Sequence, residues 1–203
     1  MNMKKGLQIV LVLATLLTMG SISAFASSTD QISTVLTISD PETGQKWEWF
    51  LSEENTSVAY TKGLSRSGEV TTEAVTSIDI GKYLAETFAA NPSVSTTLED
   101  DITIMTGLTY SVSGSGVRIH NVFGATTPKG LYYAENRKVY WRNPGVGVGG
   151  TLTPTSNSWN YSVDSSPGLY SPNAKPYSLL DCRVRVSGMS TYRDITVMCT
   201  LSL

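Results

Sequence analysis

Apolar and polar positions alternate most clearly near the end of the chain. Residues 177–186 set Leu180, Cys182, Val184 and Val186 on one face of an extended strand, and Ile195, Val197, Cys199 and Leu201 repeat the pattern. With residues 187–194 as the connection, the two runs predict a hairpin in which Val186 faces Ile195 and Cys182 faces Cys199. Directly opposed Cβ atoms lie ~4.5–5.5 Å apart, close to the ~3.5–4.5 Å of a disulfide. The pattern therefore predicts a bond between the only two cysteines, Cys182 and Cys199.

The same alternation recurs upstream. Ile102, Ile104, Leu108, Tyr110 and Val112 run into a Ser/Gly turn at 113–116, and Val117, Ile119, Asn121 and Phe123 run back, which predicts a second hairpin. Residues 131–142 predict a third, turning at Glu135, Asn136 and Arg137, and Trp159, Tyr161 and Val163 mark a further strand. Near the start, residues 32–38, 46–51 and 57–61 read as a three-stranded meander, followed by a strand over 69–78. One segment breaks the period of two. Ile80, Tyr83, Leu84 and Phe88 fall at helical spacing between Asp79, a cap residue, and the stop signal Asn91-Pro92. Residues 144–150, PGVGVGG, are too rich in glycine for an ordinary strand and predict a mobile or tightly bent loop.

Strands of this length and spacing predict a mainly β chain folded as an antiparallel β-sandwich, Ig-like or jelly-roll-like, with one short helix. Composition agrees, since charged residues make up only 16 % and long Ala/Leu/Glu/Lys stretches are missing.

The N-terminus changes the compartment. Lys4 and Lys5 precede an apolar run of roughly 13 residues, short of the ~20 needed to span a bilayer, and small residues follow up to Ala26. This predicts a signal peptide over residues 1–26, cleaved after Ala26, and a secreted, extracellular protein with no transmembrane segment in the mature chain. Export is consistent with paired cysteines.

Charge divides the remainder. Residues 27–101 carry four basic and thirteen acidic side chains, whereas 102–203 carry nine basic and four acidic. The expected organisation is an acidic, Ser/Thr-rich set of strands over 27–97 packed on a basic, aromatic-rich sandwich core over 98–203.

Candidate chemistry is sparse. His120, the only histidine, shares a strand face with Arg118 and is expected at a solvated rim. No metal-ligand spacing, serine-hydrolase frame, phosphate-binding loop or nucleic-acid motif is present, so no cofactor or metal is expected. Glu53-Glu54 and Glu99-Asp100-Asp101 are expected to be solvated turn charges, with a carboxylate-based hydrolase as a distant reading. The aromatic residues offer more. Tyr132-Tyr133 and Tyr140-Trp141 are adjacent pairs, so one of each points away from the core unless it is covered. With Arg137, Lys138, Arg142, Arg183, Arg185 and Tyr192 they form the expected binding set. Aromatic rings beside cations suit an anionic polymer or glycan of a cell envelope. The leading expectation is thus a secreted, non-catalytic binding protein, ahead of an antimicrobial or toxin-like effector.

Overall fold

The computed structural model describes residues 31–51, 57–64, 70–89 and 101–203, so the expected signal peptide, Glu53-Glu54 and Glu99-Asp100 lie outside the described residues. Two antiparallel sheets pack face to face. In the first, β1 (Gln31–Ser39) and β2 (Lys46–Leu51) join β12 (Tyr192–Ser202), β11 (Tyr177–Val186), β7 (Tyr132–Asn143) and β8 (Val148–Leu152), in the order β2-β1-β12-β11-β7-β8. In the second, β3 (Ser57–Leu64), β4 (Val70–Asp79), β5 (Ile102–Ser113) and β6 (Gly116–Pro128) lie in sequence order, and β9 (Ser158–Ser162) and β10 (Gly168–Leu169) both pair with the free side of β6. The expected meander is therefore divided: β1 and β2 extend the first sheet, whereas β3 pairs with β4 in the second.

Period-two patterning decides which faces meet. Ile102, Ile104 and Leu108 of β5 and Leu180, Val184 and Val197 of β11 and β12 are fully buried in one large cluster. Ile32, Ala74, Tyr110, Val117, Cys199 and Leu201 form a smaller cluster. Hydroxyl pairs also link the sheets: Thr34 to Thr76 at 2.8 Å between β1 and β4, and Thr106 to Ser178 at 2.6 Å between β5 and β11. The helix α1 (Gly81–Ala89) begins where Asp79 Oδ1 accepts the Gly81 N–H at 3.0 Å, and it buries Tyr83, Leu84 and Phe88.

The terminal hairpin forms, but in another register. Val184 faces Arg193, Cys182 faces Ile195, and Ser178 faces Cys199. The two cysteines are offset by four residues along the ladder, ~13 Å at strand rise, beyond the Cα separation a disulfide tolerates. Both are free and buried, which corrects the expected Cys182–Cys199 bond. A four-residue shift keeps every side chain on its expected face, so alternation cannot tell the two registers apart.

What fixes the register is Arg193, expected in the connecting loop but 2 % exposed on the inner side of β12. Its Nη1 lies 3.4 Å from Asp40 Oδ2, its Nη2 donates to the Thr87 carbonyl at 3.1 Å, and the guanidinium sits 4.5 Å from the Phe88 ring. A buried guanidinium without these partners would be very costly. The strand begins early enough to deliver it to them, leaving a short connection in which Gly188 takes φ +82°.

Two further expectations change. Residues 131–142 do not turn back, because Asn136 adopts φ 54° within a single strand β7, opposite a register shift between Asp181 and Arg183. The glycine-rich segment is tightly bent only at its start and then becomes a strand. Pro144–Val146 makes one 3-10 turn and Val148–Leu152 continues as edge strand β8. Its glycines are needed for close approach, since a β-carbon at Gly150 would fall 3.0 Å from Trp141 Nε1 and one at Gly149 2.6 Å from the Trp141 carbonyl oxygen.

Candidate functional site

The strand pleat divides the expected binding set. Tyr132 is 4 % exposed and lies inward, and Trp141 packs against the large core cluster over Gly150. Arg137 is buried next to the Asn136 bulge. There its Nε donates to Thr126 Oγ1 at 2.9 Å, and its Nη2 donates to the Ala134 carbonyl at 2.7 Å and to Asn157 Oδ1. These three are structural members of the sandwich. Tyr133, Lys138, Tyr140, Arg142, Arg183, Arg185 and Tyr192 share the outer face of the first sheet, on strands β7, β11 and β12.

Those seven are not equivalent. Arg183 Nε is 2.9 Å from Asp194 Oδ1 and Arg185 Nε is 2.6 Å from Glu135 Oε1. Both guanidiniums lie over the Tyr192 ring, at 3.8 and 4.7 Å from its centroid. Donation to Asp194 holds the Arg183 pKa above its ordinary value, and donation to Glu135 does the same for Arg185. Their charge and the faces of Tyr192 are thus already engaged. Among the described residues, Lys138 and Arg142 have no ion-pair partner. They flank Tyr140 at two-residue spacing on β7, so all three project from one face.

Beside them the Asn136 bulge opens a shallow depression of about 560 Å³, lined by Asn136, Lys138, Tyr140, Thr153, Asp181 and Thr196 among others. Asp181 Oδ1 accepts from Thr196 Oγ1 at 2.6 Å, which orients the carboxylate on the floor. Sequence reasoning missed Asp181, Thr153 and Thr196, because their convergence depends on the pairing of β11 with β7 and β12 and of β7 with β8.

The second sheet holds a different constellation. His120 is the extra residue at the register shift between β5 and β6, and it is 8 % exposed, which corrects the expected solvated rim position. Its Nε2 is 2.9 Å from Ser111 Oγ and its Nδ1 3.4 Å from Asp164 Oδ1. This connectivity matches a Ser-His-Asp relay, but Ser111 is only 3 % exposed, so its hydroxyl is enclosed by the sandwich. The Ser162 hydroxyl donates to Asp164 and, with His120 and Arg118, holds its carboxyl below the ordinary carboxylate value against the opposing effect of burial.

Among the described residues, no cluster of three or more His, Cys, Asp or Glu is placed to hold a metal, and no helix is long and apolar enough to cross a membrane. No protein-family model, curated protein or solved structure matches the chain.

Proposed function

We propose that this is an exported, non-catalytic protein that binds an extracellular or cell-surface polymer through the outer face of β7, β11 and β12. One observation supports the reading above the others: Tyr140 walls an open depression floored by oriented polar side chains. A ring paired with hydrogen-bonding groups can hold a sugar-like unit by its apolar face and its hydroxyls together. The shallow, open form of the depression suits a polymer lying across it. The reading also draws on the leader-like N-terminus.

Co-sedimentation of purified protein with insoluble envelope polysaccharide at low salt tests it. Binding is expected, and Tyr140→Ala should weaken it about fivefold to tenfold with an unchanged melting temperature. Trp141→Ala should instead lower the melting temperature, because that ring packs inward over Gly150. Absence of retention by any envelope fraction, or full retention by Tyr140→Ala, would overturn the proposal.

A further inference from the structure

We infer that the polymer is an acidic polysaccharide, gripped by a cation-tyrosine-cation rail formed by Lys138, Tyr140 and Arg142. The inference rests on the proposed binding face and specifies its ligand. Three features of the face ask for three chemical groups. Lys138 and Arg142, about 13 Å apart at strand rise, are the cations on the outer face of β7 outside any ion pair among the described residues, with Asp181 opposite Lys138 in the ladder, while Arg183 and Arg185 on the neighbouring strand are neutralised by Asp194 and Glu135. Exposed cations that form no ion pair among the described residues favour an anionic ligand. Tyr140, between them, presents a ring suited to the C–H face of a sugar.

Asp181 supplies the third requirement. Its carboxylate accepts from Thr196 and lines the depression beside Lys138, so it needs hydroxyl donors from whatever lies there and repels a second anion. A ligand with hydroxyls as well as acidic groups satisfies the carboxylate and both cations. A nucleic acid fits less well. Its phosphates recur closely along the strand and are met by continuous basic tracks with serial stacking rings, whereas this face interleaves Glu135, Asp181 and Asp194 with its cations. On the outer side of the rail, Arg142 faces Gly149 and Tyr140 faces the small Thr151 across the β7–β8 ladder.

The test is a binding panel on immobilised polygalacturonate, dextran sulfate, uncharged dextran and duplex DNA over a salt series. Purified protein should bind the two acidic polysaccharides, bind them less as salt rises, and pass over dextran. The variant K138Q/R142Q should lose about tenfold in affinity for polygalacturonate and most of its salt dependence. The charge-matched K129Q/K175Q, with circular dichroism confirming the fold of each variant, should stay within about twofold. Equal binding to dextran would overturn the acidic ligand and leave the binding face standing. DNA bound as tightly as polygalacturonate would overturn the polysaccharide. An unaltered K138Q/R142Q would overturn the rail, and failure on every surface together with envelope material would remove the binding face itself.

Discussion

Cys182 and Cys199 show how much a single pairing register decides. Each is a buried, unpaired thiol, and burial pushes Cys182 up to about 12 and Cys199 up to about 11. At neutral pH their thiolate fraction is about one part in ten thousand or less, and the thiolate is the reactive form. Ellman's reagent should therefore label neither cysteine in native protein and both in denaturant, and a reducing agent should leave the melting temperature unchanged. A drop in melting temperature on reduction would show that the bond exists after all. The aromatic pairs carry a related lesson. Alternation dictates that one member of Tyr132-Tyr133 and one of Tyr140-Trp141 leaves the core, but which one follows from the pairing of β7 with β11 and β8, which no local pattern encodes.

Among the elements, the turn between β1 and β2, helix α1 and the terminal hairpin converge on one buried ion pair. Burial opposes the charge on Asp40, but the backbone N–H of Glu42, the Arg193 guanidinium and the Thr43 contacts outweigh it and hold the carboxyl below its ordinary value. Burial lowers the Arg193 pKa, with Asp40 and Glu42 pulling it back. A carboxyl depressed in the folded state adds stability above its unfolded value of about 3.9, and that stability disappears as pH falls through the folded value. Asp40→Ala should cost about 3 kcal/mol at pH 7, the cost of breaking a buried pair. In urea titrations the gap to the wild type should close below about pH 4, and a gap independent of pH would show that the ion pair contributes nothing. The boundaries of α1 and of the hairpin β5–β6 were legible because strong periodicity and Gly/Ser turns agree locally. Arg193 was not, because a lone arginine after a Gly/Ser loop reads as solvated until Asp40, distant in sequence, is placed beside it.

Over the whole molecule, the layered architecture follows from period-two patterning, and the candidate site does so only in part. Composition and alternation can nominate aromatic and basic residues on β7, β11 and β12. They cannot reveal that Asp194 and Glu135 neutralise two of the arginines, since those partners come from paired strands. The strand order of the first sheet also governs when the molecule can exist. Its second and third strands, β1 and β12, pair Gln31 with Ser202 and Ser39 with Asp194, so the earliest described strand waits for the last described one. Contacts of such long sequence separation are slow to close. Until β12 has been made, β1 and β2 have no sheet to join. Chains ending before Tyr192 should remain sensitive to protease where the whole chain resists it, and a resistant truncated chain would refute that dependence. Joining of β1 and β2 to the first sheet is thereby deferred until the eleven-residue strand β12 is present.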